Sequence, residues 1–239
     1  MFPAAILTRS PNGVALAGAR VAVPVDGSME SAALIGAGLV TAAALHAQLE
    51  LVHVAKSEAE CYAIERELNR VANDIHVPVR VVVANTVRTS GNWLVRHLSS
   101  GPPTLVILRS GAGESPLSPG RFTNRLLECS PGPHLLFGPN ADPAMFDPYG
   151  EVGAMLTGDI DLDSRTLSMV SDWCGATGSR FSTFDARGSS GPAIAPAAWR
   201  FGLSLLALTA RDLPNQASGL LMQAPCPILL FGQAATIDG

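Results

Sequence analysis

Two octapeptides far apart in the chain share one design: Pro-Gly-Pro-His-Leu-Leu-Phe-Gly at 131–138 and Pro-Cys-Pro-Ile-Leu-Leu-Phe-Gly at 225–232. Leu126-Leu127 and Leu220-Leu221 precede them at the same offset. Further upstream, Pro-Thr-Leu-Val-Ile-Leu-Arg-Ser (103–110) resembles Leu-Ser-Leu-Leu-Ala-Leu-Thr-Ala (203–210) as a buried strand followed by a polar loop. Matches in the same order imply a duplicated unit of roughly 90–120 residues. The Pro-x-Pro ahead of each final strand weighs against chance similarity of apolar runs.

Within the first unit, apolar strands alternate with helical patterns. Val21–Val25 reads as a strand, and Met29–His46 as a helix with Leu34, Gly38, Thr41 and Leu45 on one face. Leu49–Val54 is a second strand. Ser57 with Glu60 forms a capping box for a helix whose Cys61, Ile64, Leu68, Val71 and Ile75 recur at helical spacing. Residues 77–84 are a third strand, Trp93–Leu98 a short helix, Leu105–Leu108 a fourth strand, Arg121–Cys129 a last helix and His134–Phe137 the fifth strand. Near-continuous apolar strands separated by helices predict a parallel sheet covered on both faces.

The second unit is thinner. Val152–Leu156 is a strand ending near Asp159, followed by the helix Ser164–Cys174 and the strand Phe181–Phe184. The Gly/Pro-rich stretch 186–196 reads as a loop before a short helix around Trp199, then the strand Leu203–Leu208, a helix near Ala217–Gln223 and the strand Ile228–Phe231. Nothing matches the second helix and third strand of the first unit. The expected architecture is two tandem open parallel-sheet α/β units, the second truncated. Their bounds are an N-terminal extension over 1–18, a first domain over 19–138, a Pro-rich linker over 139–150 and a degenerate domain over 151–239.

Composition narrows the function classes. Of 239 residues, 47% are hydrophobic and only 15% charged, enough apolar material for a sizeable core. A net charge of −4 argues against a nucleic-acid partner, which needs clustered Lys and Arg. No apolar run is long and clean enough to span a membrane. The opening stretch lacks a basic region ahead of its apolar residues, against a secretory signal, and its Pro11-Asn12-Gly13 reads as a turn. Cys61, Cys129, Cys174 and Cys226 are scattered without C-x-x-C or metal-ligand spacing, as in reduced cytoplasmic proteins.

The first unit resembles the universal stress protein family. The resemblance rests on Val23-Pro24-Val25-Asp26-Gly27-Ser28 at the first strand, Val52-His53-Val54 ending the second, and Ala224-Pro225-Cys226-Pro227 before the last. The last motif is altered at Ser130-Pro131-Gly132-Pro133. It covers 20–138 well and 151–232 loosely. The resemblance implies the adenine-nucleotide α-hydrolase-like fold, pairing of units through their last strands with a homodimer as a further option, a stress-response role and an adenine nucleotide, ATP or AMP, as ligand. Asp26, flanked by Val25 and Gly27, would then lie beside the adenosine, with Val54 offering backbone groups to the base.

Nucleotide-binding members carry Gly-x-x-Gly, nine residues, then Gly-Ser or Gly-Thr after the fourth strand. Glycines there let backbone N–H groups reach phosphates at a helix N-terminus. This chain has Gly111, Gly113 and Gly120, more tightly spaced, with Arg121 where Ser or Thr belongs, and with Pro116 and Pro119 removing donors. Two readings stand. Either the loop still cradles phosphate, with Arg121 supplying charge, or it is a surface turn and Asp26 merely caps a helix, a role worth about 1 kcal/mol. In the second unit Asp212-Leu213-Pro214-Asn215 replaces the loop without glycines, so no site is expected there.

Other constellations are weaker. His46, His53, His76, His97 and His134 lie far apart and read as surface or partly buried residues, and no Ser or Cys sits in a nucleophile elbow. The alternating acids at 159–163 lack the Gly and Glu of a calcium loop and read as an acid cluster at a helix start. No residue set suits chemistry on a substrate. The expectation is a cytoplasmic regulatory or binding protein rather than an enzyme. Its rivals are a scaffold of paired domains without nucleotide, and an ATP pyrophosphatase that would need a Ser-Gly-Gly-x-Asp-Ser motif absent here.

Overall fold

The nine runs read as strands become the strands of one sheet in the computed structural model, which describes residues 19–25, 29–55, 57–73, 77–85, 90–99, 104–109, 123, 126–127, 132–185, 191–210 and 220–232. The first half contributes β1 (Arg20–Pro24), α1 (Met29–Ala44), β2 (Gln48–Ala55), α2 (Glu58–Asn73), β3 (Val79–Asn85), α3 (Ser90–Ser99), β4 (Thr104–Arg109) and β5 (Pro133–Phe137). The second contributes β6 (Val152–Leu156), α4 (Ile160–Thr177), β7 (Phe181–Asp185), α5 (Gly191–Phe201), β8 (Leu205–Ala210) and β9 (Ile228–Gly232).

The strand order is β3-β2-β1-β4-β5-β9-β8-β6-β7. Every neighbouring pair is parallel except β5 and β9, which run antiparallel with His134 opposite Leu230 and Leu135 opposite Leu229. The final strands of the two halves, β5 and β9, therefore lie side by side at the middle of the sheet. Between β7 and β8 the described chain has α5 and no counterpart of α2 and β3.

Two apolar layers enclose the sheet. One packs Leu34 of α1, Leu45 just after it, Leu68 of α2 and Trp173 of α4 over Val23, Leu51, Ile107, Leu135 and Leu229. The other packs Val95 and Leu98 of α3, Ala198 of α5, Leu126-Leu127 and Leu220-Leu221 over Val52, Val106, Leu136 and Leu230. In α1 the small residue Gly38 sets the approach: a Cβ there would stand 2.5 Å from Val23 Cγ2 and 3.1 Å from Leu49 Cδ1. The Ser57 side chain caps α2 by accepting from the Glu60 N–H at 3.2 Å, and Glu67 pairs with Arg70 on its exposed face at 2.7 Å.

Two helices start earlier than the sequence pattern indicates. Asp159 caps α4 by accepting from Asp161 N–H and Leu162 N–H, so the acids at 159–163 belong to the helix start. The stretch read as a loop before Trp199 is helical from Gly191, with Pro196 inside the helix. Pro192 is tolerated in the first turn, and Ala193, Ala195, Ala197 and Ala198 supply helix propensity that outweighs the prolines. Residues 139–150 also pack closely. Phe146 is buried edge-on to Phe137 with ring centroids 5.6 Å apart, and Trp173 donates its indole N–H to the Pro148 carbonyl at 3.2 Å.

Candidate functional site at the carboxyl ends of the first-half strands

In an open parallel sheet, ligands bind where neighbouring strands send their chains to opposite faces, outside the carboxyl ends. Strands β1 and β4 are such neighbours. After β1 the chain enters α1 in one apolar layer; after β4 it reaches Leu126 and Leu127 in the other. The first-half crevice is thus set by topology, beyond Pro24 and Arg109.

Of the residues the sequence nominates for this site, the described ones are Val25 and Val54, at the carboxyl ends of adjacent strands. Val25 is buried and Val54 half-buried. Asp26, Gly27, Gly111, Gly113, Gly120 and Arg121 lie outside the described residues. Val25 is held at both backbone groups: its N–H donates to the Val52 carbonyl at 2.8 Å, and its carbonyl accepts from the His53 Nδ1–H at 2.7 Å. The carbonyl can only accept, so the ring proton on Nδ1 is fixed. The other nitrogen, Nε2, then faces the Glu60 carboxylate of α2 at 3.6 Å, an ion pair whenever the ring is protonated. His53 is 4% exposed. The sequence reading took it for a surface or partly buried residue. Its position in β2, pointing into the α1/α2 layer with Leu49 and Leu51, was the available signal.

At the corresponding corner of the second half, between β6 and β8, the described residues bond to the chain's own acids and hydroxyls. Beyond β6, Thr157 donates its N–H at 2.7 Å and its hydroxyl at 3.0 Å to Asp163 Oδ1, and the Gly158 N–H donates to Asp163 Oδ2 at 2.9 Å. Gly158 has φ +85°, a left-handed conformation suited to glycine. On the β8 side the buried Thr209 N–H donates to the Thr166 hydroxyl at 2.9 Å. Among the described residues, the Thr157, Gly158 and Thr209 N–H groups at this corner thus already have acceptors within the chain.

A second polar cluster sits at the amino ends of the first-half strands. Glu50 is fully buried and accepts from Arg20 Nη1 at 2.8 Å and from His97 Nε2. Arg20 also donates to the Thr104 hydroxyl from Nη2 at 2.9 Å. The Trp93 ring stacks on His97 at 4.9 Å between centroids. In the middle of the sheet His134 is completely buried with neither ring nitrogen hydrogen-bonded, and burial pushes its pKa down to about 4. His134 corrects the sequence reading, which took it for a surface or partly buried residue; His97 is partly buried, as that reading has it. Burial likewise pushes the Cys226 thiol up to about 12, so it is no nucleophile. Among the described residues no group of His, Cys, Asp and Glu could hold a metal ion, and no helix is long and apolar enough to cross a membrane.

Comparison with known proteins bears on the fold. No family model matches the chain, and no curated protein matches it. Solved structures do. A universal stress protein from Archaeoglobus fulgidus DSM 4304 superposes with a TM-score of 0.69 at 11% identity, covering 92% of this chain and 98% of its own. A putative universal stress protein from Pseudomonas aeruginosa UCBPP-PA14 gives 0.68 at 14% identity, covering 91% and 94%. A functionally unknown protein from Pseudomonas aeruginosa PAO1 gives 0.68 at 14%, covering 91% and 93%. The chain shares their α/β fold along almost its whole length.

Proposed function

We propose that this chain is a regulatory module of the universal-stress-protein kind, working in the cytoplasm, whose first half takes an adenine nucleotide across the β1/β4 crevice. The observation that supports it is the doubly anchored Val25, which holds the backbone leading into Asp26 at a ligand-binding corner of the sheet. In this reading Asp26 and Gly27 meet the adenosine, and Val54 presents backbone groups to the base. Gly111, Gly113 and Gly120 carry the phosphates, with Arg121 adding charge. Prolines 116 and 119 leave fewer N–H donors than a triphosphate asks for, so ATP gains little over AMP.

A second reading, a scaffold without nucleotide, draws on the second half, where Asp163 and Thr166 accept from the Thr157, Gly158 and Thr209 N–H groups. Titration calorimetry with ATP, AMP and adenosine separates the two. Heat of binding from any of them supports the nucleotide module. Silence from all three at millimolar concentration removes it in favour of the scaffold.

A further inference from the structure

Independently of any nucleotide, we propose that the outer edge of β7, beyond which the described residues add no strand, forms with the adjoining end of α5 a homotypic interface through which two copies of this chain join their sheets.

Strand β7 stands to β6 as β2 stands to β1, each the outward parallel neighbour of its half's central strand. Beyond β2 the first half adds β3, with α2 packed along it. Beyond β7 the described residues add nothing, and α4 packs instead on β6 and β8. The result is exposed apolar surface where a parallel sheet is normally covered on both faces. Phe181 at the start of β7 is 44% exposed, and Phe201 and Trp199 at the end of α5 are 55% and 70% exposed. Phe201 packs on Phe184 of β7 with ring centroids 5.4 Å apart, so the aromatic patch is continuous with the strand.

The edge also lacks the usual guards against pairing. Phe-Ser-Thr-Phe-Asp contains no proline, no lysine and a single charge, at its end. The other edge strand, β3, carries Arg80 within it.

Charge selects the occupant. Exposed Arg180 precedes the strand and Asp185 ends it. A second β7 laid antiparallel puts the positive end of each strand beside the negative end of the other, whereas parallel addition of the same strand sets like beside like. Antiparallel self-pairing is what a two-fold axis normal to the sheet near Thr183 produces. It brings Trp199 and the Phe184–Phe201 pair of both copies together on one face. The sheet already accepts an antiparallel edge-to-edge join of this kind between β5 and β9.

The test is oligomeric state by light scattering and sedimentation velocity on the full chain from about 1 to 200 µM. The wild type is expected to reach twice its 24.8 kDa mass. Thr183→Lys, which sets like charges close across the axis, should return it to monomer, and Arg180→Glu should weaken association at least tenfold. Circular dichroism melts confirm that each variant stays folded. Thr183→Cys gives a reading that needs no disrupted fold: under mild oxidation it should yield a covalent dimer that the wild type, with its native cysteines, does not. A wild-type monomer at 200 µM overturns the proposal. So does a dimer unmoved by Thr183→Lys, or the failure of Thr183→Cys to cross-link.

Discussion

Arg20 and Glu50 meet diagonally across β1 and β2, with Nη1 at 2.8 Å from Oε2 and the carboxylate wholly out of solvent. A buried pair of this kind adds little net stability, but breaking it leaves a charge with no water to solvate it. Arg20→Met is expected to cost about 3–5 kcal/mol, and Arg20→Met combined with Glu50→Leu to recover most of that loss. Urea unfolding of the three proteins measures both.

His134 makes stability depend on pH. Its folded pKa of about 4 lies below the ordinary 6.5, because the charged ring has no partner inside the sheet. The unfolded chain therefore binds the extra proton first. The neutral ring's contribution is intact above pH 6.5 and is lost as pH falls from there to about 4, by up to roughly 3 kcal/mol. His134→Leu should be more stable than wild type at pH 5 and lose less stability between pH 7.5 and 5. Denaturation midpoints at the two values show whether the slopes differ.

Glycine spacing fixes two close approaches. Gly38→Ala forces a methyl against Val23 and should cost about 1–3 kcal/mol by overpacking. Gly138→Ala aims its methyl at the Leu221 backbone carbonyl, which cannot rotate away as a side chain can, so the loss is greater. Melting temperatures rank them, at about 2–4 °C per kcal/mol for a chain of this size.

Beyond β6, Asp163→Ala leaves the Thr157 and Gly158 N–H groups without their acceptor. A loss of about 1–3 kcal/mol is expected, and a smaller one for Asp163→Asn, which keeps a single acceptor oxygen. Thermal melts of the two variants decide it.

For the nucleotide reading, Asp26→Ala should weaken adenosine, AMP and ATP alike by about 1–3 kcal/mol, as loss of a hydrogen bond to a buried polar ligand does. Arg121→Ala should weaken ATP more than adenosine, because its charge acts on phosphate alone. Equal losses for the two ligands would remove Arg121 from the phosphate site while leaving Asp26 in place.

Period and punctuation made most of the fold legible. Leu34, Gly38, Thr41 and Leu45 recur at helical spacing and are all buried in or beside α1. The apolar strands without alternation become buried parallel strands. What the sequence hid was long-range partnership. Nothing near Glu50 in the chain announces Arg20 or His97, because strand register and helix docking bring them together. His53 looked like any strand residue until the Val25 carbonyl stood beside it. The Gly191 helix was missed because local rules weigh its prolines heavily, while its alanines and the burial of Ala198 decide the outcome. At the candidate site, Val25 and Val54 lie at the ends of the neighbouring strands β1 and β2, a pairing that only the sheet register reveals.

The antiparallel join of β5 to β9 also gives the molecule two unlike poles. First-half strands run toward one pole and second-half strands toward the other. The Val25 corner opens at the first pole. The second gathers the locked Arg20–Glu50–His97 cluster and the Thr157–Asp163 corner. In the nucleotide reading, a ligand at the Val25 corner would therefore lie at the opposite end of the sheet from the buried Arg20–Glu50–His97 cluster.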